Sequence, residues 1–333
     1  MRNLLILFIS TTLFYSCDEN NACDEHPSID TSEISISFER LENAFLSIKT
    51  KEGLENFIQQ EPTVAKYFLR GNEYPNDSIM IQVLLQRLNN PHLDTLRQEV
   101  NRVFDNMTDL ELQFSEAFGY VKHYYPDFII PKIKTIATGF DNDLYISDSL
   151  IIIGLDYYLG NNAKFRPIDF PEYILSRYQK DYIVPSCILL YGISPRFNSA
   201  DMKDKTMLAE MIDYGQSFYF AKKMLPCTPD SLLIWYSNKE LEDTRENEDI
   251  IWAHFLDNEL LYNTNTFIKQ KYLSERPKTF EIGDKCPGRI GTWLGWQIIN
   301  QYADRNPELS IIDLMKNNNA QEVFSKSKYR PGR

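Results

Sequence analysis

Apolar residues recur at helical spacing through most of the chain, and the pattern switches to a strand-like period only once. Residues 205–225, KTMLAEMIDYGQSFYFAKKML, carry the clearest helical stripe. Met207, Leu208, Met211, Ile212, Phe218 and Tyr219 share it with Gly215. Asp204 is placed to cap the start, Lys222 and Lys223 suit the negative end of the helix dipole, and Pro226 stops the run. The spacing predicts a buried amphipathic helix of about five turns. Upstream, residues 38–47 and 54–60 are short amphipathic runs, the second closed by Pro62. Asp77 can cap a helix through Leu88, and residues 94–104 resume helical spacing after Pro91. Thr108, Asp109, Leu110 and Glu111 read as a capping box, opening a helix that ends at Pro126.

The period then changes. Residues 134–140 and 144–153 read as two strands of a hairpin turning at Asp141, Asn142 and Asp143. Helical spacing returns at 172–180 and 186–191. A capping box from Ser237 to Glu240 precedes a long helical segment ending near Tyr262. After a Pro/Gly-rich loop around Lys285 comes a helix over 289–302, and Ser310 starts a last short one before a loose basic tail, residues 326–333. The sum is α+β, predominantly helical, with one small antiparallel sheet in a single globular domain over residues 33–325.

The first residues add an address. Met1, Arg2 and Asn3 form a short positive region, and residues 4–15 are apolar but too few to span a bilayer. Ser16 directly precedes Cys17, which matches a lipoprotein signal: residues 1–16 are removed and Cys17 is acylated. Several acyl chains on one residue anchor stably. Residues 17–32 are polar and acidic and read as a flexible tether. The formal charge of −12 is spread along the chain, which argues against an electrostatic grip on nucleic acid. Cys23, Cys187, Cys227 and Cys286 remain, and nothing in their spacing selects a disulfide pairing.

Candidate chemistry is sparse. Ala209, Glu210 and Asp213 stand at the spacing of the zinc-peptidase helix His-Glu-x-x-His, with both histidines missing. Glu210 occupies the place of the general base and Asp213 that of the second ligand, but Ala209 cannot ligate. The chain has only His26, His92, His123 and His254, none on this helix and no two at ligand spacing. His254 sits on an aromatic helix face and reads as a packed side chain. Asp141 and Asp143 read as turn residues rather than cation ligands. Gly291 and Gly295, four apart, permit close approach of another helix or strand, with Trp293 and Trp296 flanking the contact. There is no nucleophile elbow and no nucleotide fingerprint. The residues alone describe a lipid-anchored globular domain without a convincing active site.

Several stretches in order carry a resemblance. They are Ser16-Cys17, residues 154–160 (GLDYYLG), 214–217 (YGQS), 246–252 (ENEDIIW), 287–297 (PGRIGTWLGWQ) and 325–330 (SKSKYR). The chain resembles the GldB-type gliding motility lipoproteins of Bacteroidetes. The resemblance implies an outer-membrane lipoprotein needed for surface gliding, acting with other gliding and secretion components, with no cofactor beyond the lipid on Cys17. That family is in turn similar to a group of zinc-dependent proteases, whose second segment residues 291–296 fit well. This implies a degenerate zincin-like scaffold, with only Glu210 matching by residue. The expected role is therefore a non-catalytic component on the periplasmic face of the outer membrane. Two other readings stand beside it. One is a metallopeptidase with atypical ligands, using Glu210 and Asp213. The other is a cell-wall polymer binder with Tyr214, Tyr219, Trp252, Trp293 and Trp296 in an aromatic cleft.

Overall fold

The computed structural model describes residues 27, 29, 31, 34–200 and 203–331. The lipoprotein signal, Cys17 and most of the expected tether lie outside the described residues. The described chain opens with β1 (Phe38–Arg40), α1 (Glu42–Leu46) and α2 (Lys51–Gln60). The Thr50 side chain caps α2 by accepting from Gly53 N–H. A π-helical turn (Val64–Phe68) and a 3-10 turn (Gly71–Glu73) lead to α3 (Asp77–Leu88), α4 (His92–Val103) and α5 (Thr108–Tyr124). Asn76, rather than Asp77, caps α3. Thr108 lies inside α5, which starts without a side-chain cap, so the expected box there does not form.

The sheet differs from the sequence expectation. β2 (Lys132–Ile136), β3 (Leu144–Ile146) and β4 (Leu150–Gly154) join β1 in the order β1-β2-β4-β3. β2 runs parallel to both β1 and β4, and only β3 is antiparallel, to β4. The sheet is thus mixed, and its hairpin is β3–β4, turning at Ser147, Asp148 and Ser149. The reason lies in β4. Its Leu-Ile-Ile-Ile-Gly run is buried at 151–154, so it needs cover on both faces and a partner on both edges, the position of a central strand. β3, half-buried at every position, takes the edge. Residues 137–143, expected partly as strand, form a loop tied down by Asp156. One Asp156 carboxylate oxygen accepts from the N–H groups of Thr138, Gly139 and Phe140 at 3.0, 2.8 and 2.8 Å.

The rest is helical: α6 (Glu172–Leu175), α7 (Ile183–Ile193), α8 (Met207–Met224), α9 (Asp230–Ile234), α10 (Asn238–Glu246) and α11 (Glu248–Asp257). Then follow α12 (Thr266–Leu273), α13 (Ile290–Arg305), α14 (Ile311–Lys316) and α15 (Ala320–Ser327). The segment read as one long helix up to Tyr262 is broken at Asn247 into α10 and α11, while its Ser237–Glu240 capping box forms. The described part of the tail, residues 326–331, is not loose. Lys326 and Ser327 close α15, and Tyr329 is buried, its ring edge-on to Trp252 at 5.0 Å and its hydroxyl donating to Glu248. Apolar side chains from Leu41 to Tyr329 form one hydrophobic core.

α8 is the axis of the second half. Thr206, rather than Asp204, caps it, accepting from Ala209 N–H at 3.2 Å, while Asp204 accepts from Thr206. Most of its residues are buried, and it packs mainly against α13 and α7. A helix covered nearly all round is a core element rather than a one-sided amphipathic one.

Candidate functional site

The pair α8–α13 brings together the residues singled out in the sequence. At Gly295 the two backbones nearly touch: a Cβ there would lie 1.8 Å from the Met211 carbonyl oxygen. A Cβ on Gly215 would lie 2.3 Å from the Gly295 carbonyl oxygen. Gly291 faces elsewhere, toward Leu273 of α12 and Phe255 of α11. The two glycines of α13 therefore serve different neighbours. Trp293 and Trp296 are buried, and Trp296 stacks on Phe218 of α8 with ring centres 5.4 Å apart. With Trp252 also buried and Tyr214 38% exposed, the five aromatics named for polymer binding do not share an open cleft. Trp296 belongs instead to the α8–α13 seam, and Trp252 packs against Tyr329 near the end of the chain.

Glu210 and Asp213 lie one turn apart on α8. They line a small cavity of about 150 Å³ with Ala209, Gln216 and Asn318. Lys269 of α12, buried except for a few per cent, forms an ion pair with the Glu210 carboxylate and donates to the Lys205 carbonyl at 2.8 Å. Asn198 donates to the Asp213 carbonyl at 3.0 Å, and burial raises the Asp213 carboxyl above the usual range. None of His92, His123 and His254 lines this cavity. His254 bonds to the Tyr272 hydroxyl at 2.9 Å, with burial lowering its pKa, and is the packed histidine expected. Among the described residues no three His, Cys, Asp or Glu side chains gather as a metal site requires.

The described stretches among those that carried the resemblance turn out to be joints. In 154–160, Asp156 holds the 137–143 loop and the Tyr157 hydroxyl donates to the Phe140 carbonyl at 2.8 Å. In 214–217, Gly215 admits α13. Gln216 donates to the carbonyls of Leu314 and Asn317 at 2.7 and 2.9 Å, and Ser217 donates to that of Gly192 at 3.1 Å. Residues 246–252 and 325–330 meet each other through Glu248, Trp252 and Tyr329.

One constellation has no counterpart in the sequence reading. Arg177, just after α6, makes a two-pronged bond to Glu275 at 2.9 and 3.0 Å, and Arg289 Nε lies 3.3 Å from the same carboxylate. Both guanidinium groups approach one indole: Arg177 lies 5.5 Å and Arg289 5.0 Å from the Trp235 ring centre. Trp235 and Arg289 both hold left-handed backbone, with φ of 61° and 58°, unusual for bulky residues. Arg289 also donates to the Ile234 carbonyl. Cavities of about 250 and 350 Å³ share Arg177 and Trp235 as walls. Ninety-eight residues separate Arg177 from Glu275. The only local hint was the arginine in the Pro287-Gly288-Arg289 stretch.

A model of the family described as gliding motility protein GldB matches residues 22–331 of the chain. No curated protein and no solved structure matches it.

Proposed function

The chain belongs to the GldB gliding motility family, and from that premise we propose that it is a non-catalytic lipoprotein component of the gliding apparatus. It is held by lipid on Cys17 at the periplasmic face of the outer membrane and works by protein contact with other gliding and secretion components. Among the described residues no helix is long and apolar enough to cross a membrane. The lipid on Cys17 is therefore the proposed attachment.

The observation that carries the non-catalytic reading is the pairing of Glu210 with Lys269. A general base must be free to take a proton from water or substrate. Here the carboxylate faces a fixed ammonium, with Ala209 beside it where a peptidase would place a ligand. The crossing of α8 by α13, with residues 291–296 on the second helix, supports descent from a zincin-like scaffold whose helix pair is kept for packing.

Elemental analysis of the mature lipoprotein, extracted from membranes in detergent without chelators, tests the reading. Far less than one metal ion per chain is expected. About one zinc per chain would return the metallopeptidase reading with Glu210 as base. For the anchor, an exported Cys17→Ala protein is expected to leave the membrane fraction and to fail to support gliding. Normal gliding by that unanchored protein contradicts the proposed attachment.

A further inference from the structure

The cysteines that spacing left unsorted are sorted by the structure. Cys227 is disulfide-bonded, and among the described residues the free cysteines are Cys187 and Cys286. Of the five cysteines in this sequence, Cys17 and Cys23 remain as partners for it. Cys187 is buried in α7, and the Cys286 thiol donates to the Pro287 carbonyl. Cys227, by contrast, is exposed on the turn directly after α8. That turn is held in place: Thr228 N–H donates to the Leu225 carbonyl at 3.1 Å, and Lys222 donates to the Thr228 carbonyl at 2.9 Å. The path of the chain agrees. The first described residues lie along α5, where a Cβ on Gly119 would meet Thr31 at 2.9 Å and the Tyr120 hydroxyl donates to the Pro27 carbonyl at 3.4 Å. The end of α5 packs on the last turns of α8, with the Tyr125 ring 6.0 Å from Phe220. Cys23 stands four residues before Pro27, a reach of at most about 14 Å.

We infer that Cys23 and Cys227 form a cross-link that staples the tether to the C-terminal end of α8. The choice of Cys23 over Cys17 rests on the lipoprotein reading, since lipid on the Cys17 sulfur leaves no thiol there. In forming the S–S bond the two thiols give up two protons and two electrons. An envelope thiol–disulfide oxidoreductase takes them, its own disulfide being reduced to a dithiol. The link shortens the leash. Six residues, at most about 21 Å, then join the lipid to its first fixed point, rather than the ten residues, about 35 Å, to Pro27. The end of α8 that carries Cys227 is thereby kept near the membrane surface.

Mass spectrometry of the unreduced mature lipoprotein, digested in detergent, identifies the partner directly. Cleavage after Glu19 separates Cys17 from Cys23. The Cys23 fragment is expected joined to the Cys227 fragment. A Cys17 fragment joined there instead would overturn both the pairing and the lipid on Cys17. Unreduced protein in urea should titrate the two thiols of Cys187 and Cys286, and Cys227→Ser should titrate three. Four in the wild type, with lipid present, would overturn the staple and leave the anchor standing. The leash is tested by inserting a site-specific endoprotease sequence between Glu25 and His26 and cutting there. In detergent phase separation the cut domain should stay with the detergent, held to the lipid by the disulfide alone, and should leave it only when reductant is added. Release before reductant overturns the proposal.

Discussion

Replacing Gly295 by Ala tests the packing account where it is most exposed to failure. The new Cβ would sit 1.8 Å from the Met211 carbonyl oxygen and 2.5 Å from its carbon, both backbone atoms of α8. A relaxed carbon–oxygen contact is about 3.3 Å, so the helices must separate by about 1.5 Å. No side-chain rotation can absorb that, because the obstacle is main chain. Along α13, Trp293, Leu294, Trp296, Ile298 and Ile299 are all at most 2% exposed, and Trp296 stacks on Phe218 of α8. A gap of this size forfeits a large part of their dispersion contacts. Overpacking against backbone belongs at or above the upper end of the usual 1–3 kcal/mol, about 3–5 kcal/mol here, offset by about 1 kcal/mol of improved helix propensity. The expected net loss is about 2–4 kcal/mol. Gly291→Ala is the control. Its Cβ would meet the end of the Leu273 side chain at 2.7 Å, which can rotate away, and the Tyr272 carbonyl at 3.3 Å. Propensity then roughly cancels strain, within about 1 kcal/mol of neutral. Urea unfolding followed by tryptophan fluorescence measures both. A Gly295→Ala protein as stable as the wild type, or no less stable than Gly291→Ala, refutes the backbone-contact argument.

Two further outcomes follow from the geometry. Burial pushes the Asp156 carboxyl up to about 6, against three backbone N–H donors that pull it down. The folded chain then holds that proton more tightly than the unfolded chain, where the pKa is about 3.9. The contribution of this carboxyl to stability is full below about pH 4, falls as pH rises through about 6, and is level above. The loss is about 3 kcal/mol at most, and Asp141 and Asp213, also raised by burial, add in the same direction. Asp156→Asn should flatten the decline in urea midpoint between about pH 4.5 and 7; an unchanged decline contradicts the assignment. Ending the chain after Lys328 removes the buried Tyr329 ring and its bond to Glu248, and should cost about 2–4 kcal/mol. A silent truncation would mean that the tail is loose after all.

What could be read from the sequence was local. The Met207–Met224 helix was legible because its apolar period is long and Thr206 and Pro226 bracket it, although the cap itself was misplaced by two residues. The family was legible from spaced stretches. The sheet was not, because an Ile-rich run looks the same in a hairpin as in the centre of a parallel sheet, and only the identity of its neighbours decides. The break at Asn247 carries no proline or glycine to announce it. Trp296 stacks on Phe218 across the α8–α13 contact, yet an aromatic pair of this kind could be mistaken for part of a binding cleft. The Arg177–Glu275–Arg289 cluster joins three loops that are far apart in the chain, and no period or motif reports such a meeting.

The most direct test of the central claim is gliding by cells whose only copy carries Glu210→Gln together with Asp213→Asn. Both amides keep the shape of the side chains, and the amide oxygen introduced by Glu210→Gln can still accept from Lys269, so the fold should survive. Protein level by immunoblot and gliding speed by microscopy are read together. The account predicts normal levels and normal gliding. Normal levels with gliding abolished would contradict it, and would place chemistry on α8.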